Sequence, residues 1–286
     1  VFLKNEQVKE FCDFINPKAG SFIKLKGVVS HDRFDNDLGI SSIIGMKKIS
    51  NFTTSRVDNY PKKRVELHCH TKMSDMDGVS DASALLKRAK SWGMPAMAIT
   101  DHGVMYGVID FYRAARNNGI KPIIGCEVYV APGSRFDKEI GNNEERYYHL
   151  ILLAENNEGY SNLMKIVSKG FVDGFYYKPR VDYEVLKEYS SGIICLSACL
   201  AGEVQRYLTR NLYEEACKAA LRYQEIFGKG NFFLEMQDHG IPDQKMVNQL
   251  LMKMSRELSI ELVATNDIHY TYADDANPHD ILLCIQ

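Results

Sequence analysis

From Arg64 onward, short apolar stretches with strand character alternate with amphipathic helical stretches. That alternation limits the chain to very few folds. Candidate strands cover residues 64–70, 96–101, 122–130, 147–153, 192–197, 231–236 and 261–265. Helical patterns separate several of them, over residues 81–92, 107–118, 159–168, 213–227 and 242–258. Asp81 is placed to cap the first helix, whose buried stripe is Leu85, Leu86 and Ala89. Repeated strand–helix units imply parallel strands joined by right-handed crossovers. Seven strands can form an open doubly wound sheet or a closed barrel. No glycine-rich phosphate loop of either common type is present, which counts against a nucleotide-binding open sheet. The expected fold class is therefore α/β, an irregular seven-stranded (β/α) barrel. Residues 133–146 are polar and charged without periodicity, and read as an exposed loop.

The first sixty residues have a different character. NEQVKEFCDFI reads as a short amphipathic helix with Val8, Phe11 and Phe14 or Ile15 on one face. SFIKLKGVVSHDRF and LGISSIIGMKKISNF are short alternating runs broken by Gly20, Gly27, Asp32 and Gly39, as antiparallel strands joined by turns would be. Phe22, Leu25 and Val28 interleave with Lys24 and Lys26. Such a face either touches single-stranded nucleic acid or is an ordinary solvated surface. Residues 55–63, with Pro61, read as a linker. Two domains are expected, a small antiparallel β segment with its linker over 1–60 and the barrel over 61–286, and 286 residues leave room for both. The chain begins at Val1 and stops within DILLCIQ, in mid-pattern for a helix, and is expected to be a piece of something longer.

The net charge of −2 does not advertise nucleic-acid binding, so any such contact must come from a local patch. Seven scattered cysteines, an odd number without framework spacing, fit reduced thiols in the cytoplasm. No apolar run approaches the roughly 20 residues that span a membrane, and no signal-peptide pattern opens the chain.

The chemistry begins in RVELHCHTKMSDMDG. His68 and His70 sit two apart, so on a strand both imidazoles leave one face, and Asp77 follows after a short loop. Two histidines and a carboxylate at a strand end are ligand chemistry for zinc, manganese or iron. A histidine pair held by hydrogen bonds at a sheet edge is the ordinary alternative. In a (β/α) barrel, functional side chains gather at the C-terminal ends of the strands. There the second strand offers Asp101 and His102, the third Glu127, the fourth His149, the fifth Cys199, the sixth Glu235, Asp238 and His239, and the seventh Asp267 and His269. Six of the eight histidines fall in this set; His31 and His279 lie outside it. Alone, His149 reads as a core histidine and Cys199 as a small buried hydrophobe. Together the candidates are too many for one ion, and they imply two or three ions sharing bridging carboxylates, an arrangement suited to phosphate-ester hydrolysis.

The HxH pair, the TDHG turn, GCE, a later His, a Cys and the final DxH resemble the ordered motifs of the PHP (polymerase and histidinol phosphatase) family. YHLILLAEN, GFYYKPRVDYEVL, LSACLAGE, FFLEMQDHG, VATNDIHY and HDILLCIQ are similar to the PHP domain in the alpha catalytic subunits of bacterial replicative DNA polymerases, over residues 64–286. The stretch KLKGVVSHDRFDNDL, leading into the HxH segment, is similar to the end of the OB domain that precedes PHP in the Gram-positive-type class of these enzymes. That class carries an exonuclease inserted after the third strand, where this chain has only residues 133–146, so features of two classes are present.

The resemblance implies a PHP-type barrel with a trinuclear centre of two or three divalent ions (zinc, manganese or iron). Its ligands would be His68, His70, Asp77, His102, Glu127, His149, Cys199, Asp267 and His269. His68, His70, Glu127 and Asp267 would carry catalysis, with Glu127 bridging metals. Asp101 would orient His102, while Glu235 and His239 would be rim or structural residues. The activity implied is metal-dependent 3′–5′ exonuclease proofreading on a DNA primer end, within a longer polymerase chain and alongside other replisome subunits. No polymerase palm is recognisable in these residues. The alternatives are a phosphatase or pyrophosphatase, and a metal-stabilised scaffold without its own reaction. Lys72, Arg135, Lys178 and Arg180 are candidates for guiding a strand by its phosphates, against plain surface charge. Phe175, Tyr176 and Tyr177 are candidates for stacking on bases, against burial on the barrel.

Overall fold

A computed structural model describes residues 8, 9, 12, 22–31, 38–50, 57–139 and 145–285. The chain separates into two units, Val1–Asp58 and Asn59–Gln286. In the first, β1 (Phe22–His31) and β2 (Leu38–Ile49) form an antiparallel hairpin whose register shifts between Lys26 and Val28. Alternation along β1 leaves Lys24 and Lys26 exposed and Leu25 half-buried. The helix expected over NEQVKEFCDFI lies outside the described residues except at Val8, Lys9 and Cys12, and the linker expected over 55–63 is described from Val57 onward.

In the second unit the strands are β3 (Ala96–Ile99), β4 (Lys121–Val130), β5 (Tyr148–Ala154), β6 (Phe175–Tyr176), β7 (Lys178–Val181), β8 (Ile193–Leu196), β9 (Phe232–Met236) and β10 (Leu262–Ala264). Hydrogen bonding runs in the order β10–β9–β8–β5–β4, with β3 on the first half of β4, β7 on its last two residues, and β6 beyond β7. The HxH segment is not a regular strand. It meets its neighbours through single bridges, Glu66 to Met97 and Cys69 to Ile268. On one side Ala98 N and Thr100 N donate to Glu66 O and Cys69 O, both at 2.8 Å. On the other, His70 N donates to Ile268 O at 2.8 Å and Ile268 N to His68 O at 3.1 Å. This segment therefore closes the curled sheet into a ring of seven members, the barrel expected from the sequence.

The strand directions differ from expectation. β3–β4, β8–β9 and β9–β10 are parallel, but β5 runs antiparallel to both β4 and β8. A parallel neighbour requires a crossover, usually a helix. No helix lies between β4 and β5 in the described residues, in keeping with an antiparallel return. Ring interior and exterior then follow from the period-two alternation. Leu67, Ala98, Ile123, Ile151, Leu153, Leu196, Phe233 and Val263 fill the inside, with every ring member contributing.

Outside pack α1 (Ala82–Ser91), α2 (Val108–Asn118), α3 (Asn157–Val172), α4 (Tyr183–Glu188), α5 (Glu203–Thr209), α6 (Tyr213–Phe227), α7 (Pro242–Leu258) and α8 (Ala276–Leu283). Val128, Leu150 and Leu152 on the outer face of the sheet meet Leu163, Ile166, Tyr223 and Leu251. The stripe Leu85, Leu86 and Ala89 buries against Cys69, Met97 and Phe111. Asp81 stands at the N-cap position of α1, but its side chain makes no cap bond and instead pairs with Lys72 at 2.6 Å. In α3, by contrast, Asn156 caps by accepting from Gly159 N at 3.0 Å.

Two of the four basic residues considered as guides for a nucleic-acid strand are interior pins. Arg180 is fully buried and donates to the carbonyls of Asp137, Arg135 and Arg146 at 2.6, 3.3 and 3.4 Å. Arg135 is buried and pairs with Asp182 and Glu184, both at 3.0 Å. Residues 133–139, read from sequence as an exposed loop, are thus tied to the barrel through these guanidinium groups. Their burial reflects partners supplied from distant positions, which alone make a buried arginine tolerable. Arg180→Met keeps most of the volume but strands several carbonyls, and should cost about 3 kcal/mol or more of unfolding free energy in urea titrations.

Candidate metal centre

His68 and His70 lie on the ring segment whose backbone is held on both sides. Their Nε2 atoms are 3.0 Å apart, and both lie close to Asp267 Oδ1, at 3.1 and 3.2 Å. Glu127 Oε1 is 3.5 Å from His68 Nε2, and Oε2 is 3.4 Å from His70 Nε2. Donors bound at about 2.1 Å to one cation stand about 3.0–3.4 Å apart for right-angled to tetrahedral geometry. This quartet has that spacing.

The hydrogen bonds behind these imidazoles decide which nitrogen faces inward. His68 Nδ1 donates to Glu235 Oε1 at 2.6 Å. His70 Nδ1 donates to Ser74 Oγ at 3.0 Å, because that hydroxyl spends its own proton on Asp101 Oδ1 at 2.8 Å and also accepts from His102 N. His269 Nδ1 donates to Asp267 O at 3.0 Å. In each neutral ring, Nε2 is therefore the lone pair, and it points into the cluster. Backing of this kind fixes ligand tautomers in metal sites.

Glu127 lies at the centre. It is fully buried, yet neither carboxylate oxygen has a hydrogen-bond partner, and Asp267 Oδ1 and His102 Nδ1 share that condition. Its Oε1 lies 2.9 Å from His149 Nδ1 and its Oε2 lies 2.5 Å from His102 Nδ1, so the carboxylate spans two groups of donors. Cys199 Sγ is 3.8 Å from His149 Nδ1. A third group forms at Asp77, whose Oδ2 is 2.9 Å from His102 Nε2 and 3.3 Å from His269 Nε2. A buried carboxylate without donors needs a positive charge in its place. The donor set of imidazoles, carboxylates and one thiol fits divalent metal ions, which these residues could hold in two or three places.

Without such ions, protons meet part of this need. Burial alone would raise Glu127, but the facing His149, His102 and His68 override it and hold its pKa well below the ordinary carboxylate range. Burial pulls His102 down, yet Glu127 and Asp77 together raise it to about 9. His68 is likewise raised, against burial, by Asp267, Glu235 and Glu127. His70 goes the other way, lowered to about 3 by burial and by its neighbour His102. Burial pushes the Cys199 thiol well up.

All nine candidate ligands come to one mouth of the ring. His149 does so for a reason the strand-end rule does not contain. It is the second residue of β5, but β5 runs antiparallel, so its N-terminal end meets the C-terminal end of β4. Several donors sit on strained turns: Asp267 itself has φ 47°, Ala198 before Cys199 has φ 64°, and Met76 before Asp77 has φ 62°. Gly103, after His102, has φ 65°, and a Cβ there would lie 2.9 Å from both Pro179 and Tyr129.

Other assignments change. Glu235 is no rim residue: it is buried and orients His68. Asp101 does not contact the His102 ring; it acts through Ser74 and also accepts from Thr71 N at 2.6 Å. Ser74 is not singled out by the sequence, where its spacing of four residues after His70 is its one signal. His279, outside the strand-end set, reaches Asp77. His239 binds Asn266 O at 2.8 Å, away from the cluster, as a structural residue. Lys178 stands 5.6 Å from the Tyr129 ring, which lies beside His102 and His149. Phe175 and Tyr177 are exposed, so burial on the barrel is not their role.

The PHP domain family matches residues 66–239, and the chain belongs to that family. Within it, the chain is similar to the DNA polymerase III subunit alpha of Treponema pallidum, 48% identical over 77% of this chain and 19% of that protein. It is also similar to the subunit alpha of Borreliella burgdorferi, 44% identical over 79% of this chain and 20% of that protein. The chain thus spans about a fifth of the length of these relatives. A solved structure of an amidohydrolase from Chromobacterium violaceum covers 72% of this chain and 87% of its own, at 15% identity and a TM-score of 0.47.

Two measurements probe the centre. Glu235→Leu should weaken zinc binding about 10- to 100-fold in competition with a chelating dye, by freeing the His68 ring. Zinc binding near pH 7.5 should also release protons, read by calorimetry in buffers of different ionisation enthalpy, because His102 holds its proton to about 9. The sign for the metal-free chain follows from the same shift. The stability contributed by His102 is complete below about pH 6.5 and is lost as pH rises through about 9.

Proposed function

We propose that this chain is the metal-dependent phosphoesterase region of a bacterial replicative DNA polymerase alpha subunit, acting as a 3′–5′ exonuclease on primer ends in the cytoplasm. The supporting observation is a gradient of exposure across the cluster. The side chains of His68 and His70 are fully buried, whereas those of Asp77, His149 and His269 are 20%, 17% and 17% exposed. A purely structural metal site is closed, while a catalytic one keeps a position open to substrate. Here the floor is sealed and the rim is open.

On this reading His68, His70, Glu127 and Asp267 hold the deepest ion. Glu127 is shared with a second place formed by His149 and Cys199, and Asp77 with His102 and His269 forms a third. Zinc, manganese and iron all suit these donors. When bound, such ions supply an activated water and charge stabilisation for the leaving oxygen. Glu235 and Ser74 keep the imidazole lone pairs aimed inward. Lys178 offers its charge to a phosphate at the rim, and the exposed Tyr177 and Phe175 offer faces for bases. The hairpin β1–β2 would belong to an OB-like segment ahead of this region.

Purified chain loaded with manganese or zinc should shorten a single-stranded 3′ primer end, faster at a mismatch, and His68→Ala with His70→Ala should reduce this to background. Equal degradation by that double variant overturns the nuclease assignment. Phosphate release from a phosphomonoester or pyrophosphate, with DNA untouched, establishes the phosphatase alternative. A fall in melting temperature on chelation, with no reaction on any substrate, establishes the scaffold.

A further inference from the structure

Asp77 is surrounded more fully than nine ligands require. Besides His102 and His269 on Oδ2, His279 Nε2 lies 3.3 Å from Oδ1. The His279 ring stands 5.7 Å from that of His269 and 5.4 Å from that of Tyr270. With His279 included, three imidazoles flank one carboxylate, two at Oδ2 and one at Oδ1, which matches the donor count and chemistry of a four-coordinate zinc site. His279 falls beyond the 66–239 stretch that matches the family.

The helix carrying His279 has little else to hold it. No residue of α8 is buried, and Ile281 is 58% exposed. Across 276–285 only His279 and Leu282 are not exposed. An eight-residue helix is too short to persist on its own propensity. The approach to α8 is fixed beforehand: Val79 N donates to His269 O at 3.1 Å, and the Ser80 and Thr271 hydroxyls bond at 2.7 Å. The chain from Asn266 to His279 therefore folds back over the loop that carries Asp77.

We infer that His279 is the fourth donor of a cation site built on Asp77, His102 and His269, and that the cation bound there fastens α8 to the barrel. This rests on the metal centre proposed above but not on any reaction at it. An ordinary Asp–His hydrogen bond would hold α8 equally with or without metal, and that difference is the test.

Amide hydrogen exchange of the whole chain, with zinc and with a chelator, should show α8 exchanging about tenfold more slowly with zinc. His279→Ala should abolish that difference and either lose one equivalent of zinc after dialysis or weaken one equivalent at least tenfold. His239→Ala, outside the cluster, should change neither readout. Wild-type α8 exchange that is indifferent to zinc overturns the inference without any variant being needed. So does an unchanged zinc count and affinity in His279→Ala. A wild-type chain that binds no zinc overturns the metal centre itself. Zinc bound with α8 unaffected overturns only the role of His279, whatever the outcome of the primer assay.

Discussion

A carboxylate that cannot reach water sets the terms for this domain. Glu127 is on β4, the strand with the most neighbours, and its backbone is tied at both ends: its N–H donates to Asp101 O at 3.1 Å, and its carbonyl accepts from Gly103 N at 2.8 Å. Held there, it has no partner among the described residues beyond the imidazoles that face it. The charge must be answered where it stands, and the ring brings imidazoles to it from separate members: His68 and His70 from the closing segment, His102 from beyond β3, His149 from β5. The turn after β8 and the segment after β10 add a thiol and a second acid. Barrel closure and charge compensation are thus one requirement, because an open sheet would leave those side chains on different edges.

The same requirement explains the mixed strand directions. A uniformly parallel ring would carry His149 to the far mouth, since it sits at the start of its strand. Reversing β5 returns it to the working mouth, and β8, reversed again relative to β5, delivers Cys199 from its C-terminal end. His149 N also donates to Ala201 O at 3.1 Å, which locks the strand start to the Cys199 turn.

Much of this was legible in the sequence, for physical reasons that also mark the limit. Period-two and period-3.6 patterning reports which face is buried, so the ring members and α1, α2, α6 and α7 were recoverable nearly to the residue, α3 less closely. Patterning does not report direction, so the reversal of β5 was invisible. Side chains with one dominant chemistry, such as His68 and His70, announce themselves. Ser74 and Glu235 do not, because a serine and a glutamate are common anywhere, and their roles come from partners that the fold supplies: Glu235 meets His68 across 167 residues of chain. Arg180 misled in the opposite sense. An arginine reads as surface until the carbonyls that accept its protons are in view. His279 lies outside the strand-end pattern because it follows the last strand, in a helix with no buried residue.

The outer layer of hydrogen bonds carries the last step of the argument. Glu235 and the Asp101–Ser74 pair force two Nε2 lone pairs to face each other at 3.0 Å. Two lone pairs at that distance repel unless a proton or a cation lies between them. In the metal-free chain a proton on the raised His68 fills the gap between the two Nε2 atoms, while His70, driven to about 3, takes none. A cation accepts both lone pairs at once and also meets the unpartnered oxygens of Glu127 and Asp267. The arrangement is therefore preorganised for a bound ion before any ion arrives. That is the condition under which a protein holds a metal in a defined geometry rather than wrapping around it, and it leaves the rim residues free to act on a substrate.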